Sequence, residues 1–314
     1  MNAPISISLN FDSLNEAYGF PKNFRDPSFF DGFDRIEKIA EKYNFPLSIF
    51  IIGKDLENKE YASRVKEWHD KGHEIGNHSW GHLFNFALLT KSNLRDEVLR
   101  SHEKIFNTIG IEPKGFIAPA WATSEKLLNI LIELNYEYDT SSFPSILLYP
   151  MITKIFFNHI LNINKGIKIL QRNDWIDPLV KPTKPYLVDQ YGTRNENLDK
   201  KNILVLPLPT VNRFSACIWH TLGYSISKKF LKNQTEKLLD FHKGFYYLMH
   251  PADFLGSEDL DQKYHESLER MNIDLNEKLK LIDDMFSIFE NSGRKMVTMR
   301  ELAQYNRNRI VNQL

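Results

Sequence analysis

Gly72-His73-Glu74-Ile75-Gly76-Asn77-His78-Ser79-Trp80-Gly81-His82 is the stretch whose reading decides how the rest of the chain is understood. A charged, helix-like run, Val65 to Lys71, stops at Gly72, a residue type at which helices commonly end. Glu74 to Asn77 alternates as the end of a strand does. His78 and His82 follow at a spacing of four. On a helix they would share a face, and both imidazoles could reach one ion. Such a pair is weak evidence alone. The chain holds a second one, His69 and His73, which straddles Gly72 and is read as incidental. The position of His78 and His82 just past a strand sets them apart, because α/β barrels carry their chemistry at the C-terminal ends of strands.

Working outward, Ile5 to Phe11 alternates apolar and polar strictly, the period of a strand, and runs into the polar loop Asp12-Ser13-Leu14-Asn15-Glu16. Helical periodicity is expected over Asp31–Tyr43, Tyr61–Lys71, Lys91–Ile109 and Ser124–Asn135. Leu47 to Gly53 reads as a buried strand, and Ile203 to Leu208 as a strand ending in prolines. Lys181 to Tyr191, with Pro182 and Pro185, reads as an extended connection. Phe245 to Met249 is a strand that closes in His250-Pro251. A long amphipathic helix over Asn276–Asn291 and a strand–helix pair over Lys295–Tyr305 complete the pattern. About seven strands alternate with helices, so a single α/β domain over 1–314 is expected.

Hydrophobic residues make up 42% and charged residues 25% of the 314, the composition of a globular chain. The 40 basic and 40 acidic residues cancel, which gives no case for a nucleic-acid partner. Cys217 is the single cysteine, so no internal disulfide forms. The N-terminus lacks the basic-then-apolar pattern of a secretory signal, and no apolar run approaches about 18 residues. A cytoplasmic location is therefore expected. One stretch stands out, an apolar, basic insertion over 146–172. No acidic residue occurs between Asp139 and Asp174, whereas Lys154, Lys165, Lys168 and Arg172 lie among Ile, Leu and Phe. Two readings stay open: a helix lying on a membrane surface, or an insertion packed on the barrel or on a partner subunit.

These motifs together resemble the polysaccharide deacetylases, the NodB-homology or family 4 carbohydrate esterases. The stretch from Gly72 to His82 is similar to that family's second motif, G-H-E-I-G-N-H-[ST]-x-x-H. Gly115-Phe116-Ile117-Ala118-Pro119-Ala120-Trp121 resembles the third, and Leu248-Met249-His250-Pro251 the fifth. The resemblance implies an irregular (β/α) barrel, NodB-like, of about seven strands. It implies Asp12 as base, His250 as general acid, and Asp12, His78 and His82 around a divalent metal, zinc first. Ala120 and Trp121 would serve the oxyanion and the substrate. The implied activity is hydrolytic N-deacetylation of an N-acetylated sugar by a metal-activated water. A polyprenyl-linked glycan precursor at the inner membrane face is the candidate substrate that would also explain the insertion. Two alternatives remain: a metal-independent amidohydrolase of allantoinase type, and a non-catalytic sugar-binding protein on the same scaffold.

Two departures matter. Ser13 replaces the family's metal-binding Asp, and Leu14 stands where some relatives move that carboxylate, so that Glu16 is the nearest remaining one. Ser13→Asp is accordingly expected to raise metal affinity. Ile117 replaces the family's Arg, a loss expected to raise the pKa of Asp12 unless another cation substitutes. The hydroxyls of Tyr136 to Ser145 either hold substrate or satisfy turn backbone.

Overall fold

A computed structural model describes residues 3–158, 175–189, 201–268 and 270–313. Among the described residues nine strands form one curled sheet: β1 (Ile5–Phe11), β2 (Leu47–Ile51), β3 (Glu74–Asn77), β4 (Gly115–Phe116), β5 (Tyr138–Asp139), β6 (Tyr186–Asp189), β7 (Asn202–Val205), β8 (Phe245–Met249) and β9 (Met296–Val297). The order is β6-β7-β5-β4-β3-β2-β1-β8, with β9 also on β1. Every pairing is parallel except β6 with β7. This is the irregular α/β barrel expected, with two strands more than counted from sequence.

The alternation of β1 sorts its side chains onto two faces. Ile5, Ile7, Leu9 and Phe11 join the outer core with Phe33 and Ile36 of helix α1 (Asp31–Lys42) and Met285, Phe286 and Phe289 of the helix Leu275–Asn291. Ser6 and Ser8 pair in register with Tyr246 and Leu248, which belong to a separate cluster with Phe50, Ile117 and Tyr138 inside the barrel. All seven residues of β1 are buried, since β1 has neighbours on both edges. Burial of an apolar side chain of this size contributes about 1.5–3 kcal/mol.

Two connections differ from expectation. The stretch read as an extended connection contains β6, an antiparallel edge strand. Pro182 and Pro185 fall just outside it, where no ladder donor is needed. The sheet has a seam between β8 and the far side, which a chain segment rather than a ladder spans. Leu206 and Leu208 donate to Asp139 O (2.8 Å) and Ser142 O (2.9 Å), and Ile218 donates to Pro209 O (2.7 Å). Isolated bridges then join Thr210 to Cys217 and Trp219 to Leu248. Of the insertion over 146–172, the helix Leu148–Asn158 is described; Lys165, Lys168 and Arg172, on which the membrane reading partly rests, lie outside the described residues.

Gly53, just after β2, carries the link between fold and site. Its N–H donates to Ser79 O (2.9 Å), and that of Lys54 to Trp80 O (3.1 Å), so the end of β2 holds the loop that follows β3. A Cβ on Gly53 would lie 2.6 Å from the Cα of Ser101 in helix α3 (Lys91–Ile109), a backbone atom that cannot swing aside. Gly53→Ala is expected to lower stability by about 1–3 kcal/mol, the usual penalty of overpacking. A urea midpoint unchanged from that of the parent protein would show that α3 yields at this contact.

Candidate active site

Asp12, His78, Ala120, Trp121 and His250 all follow the C-terminal ends of parallel strands: β1, β3, β4 and β8. A tight turn, Asp12 N–H to Asn10 O (2.8 Å), ends β1 and turns the chain at its mouth. Asp12 Oδ1 then lies 3.1 Å from His78 Nε2 and 3.4 Å from His82 Nε2, while Oδ2 lies 4.0 Å from His250 Nε2. Among the described residues Asp12, His78 and His82 form the group whose ligand atoms all lie within 4.8 Å of one another.

His78 and His82 do not share a helix face. After β3 the chain is a loop in which Ser79 (φ 64°) and His82 (φ 50°) are both left-handed. Four bonds hold that loop. Asn77 Oδ1 accepts from Ser79 N–H (2.8 Å), Ser79 Oγ accepts from His82 N–H (3.2 Å), Glu97 Oε2 accepts from Gly81 N–H (2.9 Å), and Ser79 O receives Gly53. The imidazoles meet at 4.9 Å between centroids because the loop doubles back, not because of helical periodicity.

The chemistry of the donor set suits a cation. His78 Nδ1 lies 2.8 Å from Ile117 O. A carbonyl only accepts, so Nδ1 carries the proton and Nε2 is left with its lone pair. Burial lowers the His78 pKa, which keeps the ring neutral. Two acceptor atoms, Nε2 and a carboxylate oxygen, thus face each other at 3.1 Å, with His82 Nε2 beside them. That convergence is repulsive without a positive charge between the atoms, and a divalent ion is what such sets hold. His82 Nδ1 is buried without a hydrogen bond, so among the described residues the second imidazole lacks the anchor the first one has.

Several expectations change here. Ile117 supplies no cation, but its carbonyl orients His78. Burial pushes the Asp12 carboxyl up, yet the charge of the neighbouring imidazoles, His82 first, outweighs this and holds it well below the ordinary range, opposite to the rise expected from the missing Arg. Ser13 is fully buried, and its Oγ donates to Asp55 Oδ1 (2.9 Å), away from the histidines. Leu14 is buried in a separate apolar cluster, and Glu16 pairs with Lys54 (2.7 Å). No second carboxylate therefore joins the group among the described residues. Ser13→Asp would instead set a carboxylate against Asp55, whose own carboxyl burial already holds far above the ordinary range. His73 of the second pair is a core residue, accepting Leu47 N–H at Nδ1 (3.0 Å) and meeting Glu37 through Nε2 (3.2 Å).

Ala120 (φ 49°) and Trp121 (φ 54°) are consecutive left-handed residues after β4. Each such position costs about 1–3 kcal/mol and persists where surrounding contacts over-determine it. Ser141 is one of those contacts: its Oγ accepts from Ala118 N–H (2.8 Å) and donates to the buried Asp139, whose pKa burial raises to about 7. That serine satisfies turn backbone. The backbone N–H of Trp121 donates to Ala118 O (3.1 Å), which closes the turn that carries Ala120.

Behind His250, residues that sequence reasoning missed form a buttress. Asp253 is fully buried and accepts His250 N–H (2.8 Å) and Arg270 Nη1 (2.6 Å); Arg270 also donates to Thr221 Oγ1 (2.7 Å). His220 sits between the Tyr247 (2.8 Å) and Tyr224 (2.9 Å) hydroxyls, and burial pushes its pKa down to about 4. Burial also lowers the pKa of His250, with Asp12 and Asp253 opposing.

A sequence profile described as polysaccharide deacetylase matches residues 4–138. A peptidoglycan deacetylase from Helicobacter pylori is 28% identical over 158 residues, 50% of this chain and 51% of that protein. The chain spans about half the length, or less, of the curated relatives it matches. Among solved structures, a Mycobacterium smegmatis protein assigned to the polysaccharide deacetylases superposes with a TM-score of 0.64 at 12% identity, over 98% of this chain and 90% of that one. A CE4 family pseudoenzyme from Bacillus anthracis superposes with 0.51 at 13% identity, over 96% and 66%. At these identities the structures share a fold.

Asp12→Ala, His78→Ala and His82→Ala are each expected to weaken zinc binding roughly 10²-fold or more, because three protein ligands are the minimum for such sites. Calorimetric titration of chelator-treated protein checks this. Parent-like affinity in all three variants would place any metal elsewhere.

Proposed function

We propose that this chain, whose residues 4–138 match the polysaccharide deacetylase family, hydrolyses an N-acetyl amide on a sugar. The observation that carries this reading is the division of Asp12 between two partners, Oδ1 toward His78 and His82 and Oδ2 toward His250. Asp12, His78 and His82 would hold a divalent ion, with zinc as first candidate; the chemistry it supplies is polarisation of the amide carbonyl and acidification of water. Asp12 Oδ2 accepts the proton of the attacking water, whose oxygen bonds to the carbonyl carbon. Stabilisation of the oxygen on which charge develops is assigned to the turn at Ala120 and Trp121 after β4. His250 gives its proton to the leaving nitrogen as the C–N bond breaks, releasing acetate and the amine. Asp12 and Asp253 favour the charged form of that ring against burial.

The finer reading of the substrate is a lipid-linked N-acetylated sugar at the inner face of a membrane, with the protein cytoplasmic and peripheral. Its support is the basic, apolar composition over 146–172 and the exposure of Leu147, Ile176, Leu179 and Val180 beside it. No helix among the described residues is long and apolar enough to cross a membrane. One observation favours a non-catalytic sugar-binding protein instead: among the described residues the group around His78 and His82 has a single carboxylate.

Acetate release from chitin oligomers and from a polyprenyl-linked N-acetylhexosamine, by zinc-loaded protein, separates these readings. Release from either supports an enzyme, and faster release from the lipid-linked sugar supports the finer one. Zinc-loaded protein that releases acetate from neither is not a deacetylase. His250→Ala is expected to lower turnover ~10²-fold or more with metal retained, the usual loss for a general acid; equal turnover removes that role. Phe156→Glu with Phe157→Glu is expected to release the protein from anionic vesicles, and parent-like sedimentation would make the insertion a packing element.

A further inference from the structure

Asn77, the last residue of β3, serves both histidines that follow it. Its backbone carbonyl accepts the N–H of Ile117 (3.1 Å), the residue whose own carbonyl orients His78. Its side-chain oxygen accepts Ser79 N–H (2.8 Å) at the left-handed turn that returns His82 to His78. The Asn77 amide nitrogen points the other way. It donates to Val98 O of α3 (3.1 Å) and to the hydroxyl of Tyr136 (2.7 Å), which precedes β5. That hydroxyl in turn lies 3.1 Å from Nδ1 of His102 on α3. Its position is set by ring packing, with the Tyr136 ring edge-on to Phe116 at 6.1 Å between centroids.

The direction of this chain of bonds is fixed. A backbone carbonyl only accepts and a backbone N–H only donates, so Val98 O and Ser79 N–H together give the Asn77 amide one orientation. The Tyr136 oxygen therefore accepts from Asn77. Its own proton then needs an acceptor, because Tyr136 is 3% exposed. Among the described residues that acceptor is His102 Nδ1. Burial pushes the Tyr136 hydroxyl up and the His102 imidazole down, so the one keeps its proton and the other its bare nitrogen. Glu112 and Lys114, the nearby charges on the segment before β4, pair with each other (2.6 Å). His82 Nδ1 has no hydrogen bond among the described residues, so the loop does for His82 what the Ile117 carbonyl does for His78.

We infer that Tyr136 and His102 are positioning residues for His82: Tyr136, held by His102, sets the Asn77 amide, and Asn77 sets the Ser79 turn that carries His82 back toward His78 and Asp12. Neither residue touches the ion or the substrate. The Tyr136 hydroxyl, in the run whose hydroxyls were expected to hold substrate or satisfy turn backbone, does neither and instead orders a side chain. Without it an Asn77 N–H and His102 Nδ1 both lose their partner, and the amide that holds Ser79 loses one of its restraints. The inference rests on the metal reading of Asp12, His78 and His82 only for its effect on zinc. Partners behind a metal ligand contribute ten- to a hundredfold in metal affinity, and a partner this far back belongs at the lower end.

The test uses full-length, chelator-treated protein. Zinc affinity is read by calorimetric titration, the imidazole resonances of the metal-free protein by long-range proton–nitrogen NMR, and folding by melting temperature. In the parent protein His102 is expected to carry its proton on Nε2. Tyr136→Phe keeps the ring and is expected to shift the His82 resonances and to weaken zinc binding about tenfold. His102→Leu is expected to do the same, whereas His102→Asn, whose side-chain oxygen stands where Nδ1 stood, restores parent-like resonances and affinity. Unchanged His82 resonances in Tyr136→Phe, or Leu and Asn variants that behave alike, overturn the positioning role. His82 resonances that shift as expected in a protein whose parent form binds no zinc overturn the metal reading and leave the positioning role standing.

Discussion

The bond from His78 Nδ1–H to the Ile117 carbonyl (2.8 Å) is the constraint on which the site depends. It fixes which nitrogen carries the proton, and so turns the bare Nε2 toward Asp12. Without it the ring could present an N–H to the carboxylate, and the pair would be an ordinary charge-assisted hydrogen bond. With it, a cation becomes the natural occupant. The carbonyl comes from β4's continuation, which Ser141 holds in place from the next strand. One backbone acceptor thus links the chemistry of one loop to the geometry of another.

The site is built on loops, yet the loops are not loose. Ser79 and Trp80 are tied to the end of β2, Gly81 to Glu97 of α3, and His250 to Asp253. Left-handed backbone at Ser79, His82, Ala120 and Trp121 is affordable because these ties leave no alternative path. Departures from the family pattern at Ser13 and Ile117 remove two side chains without dissolving this framework, because backbone groups do much of the positioning.

Much of the fold was legible because its signals are local. Ile5 to Phe11 announces a strand by alternation alone, and Asp12, His78 and His250 can be placed because each follows such a strand directly. The spacing of His78 and His82 would suit a helix face, whereas the loop turns on left-handed Ser79 and His82, residue types that do not announce such a turn in sequence. β6 was hidden by its flanking prolines. Ser13 could not be oriented because its partner, Asp55, lies 42 residues away.

β1 has a consequence for how the molecule is made. Its two edges are completed by β2 on one side and by β8, residues 245–249, on the other, with β9 at its foot. During synthesis one edge of a fully buried strand therefore waits for residues 245–249. Contacts of such sequence separation slow folding, and an unpaired strand edge is a site of aggregation until its partner arrives. The pairing of β1 is thus complete only once β8 has been made, and the stretch of chain between the two sets the interval over which the open edge is exposed to chaperones.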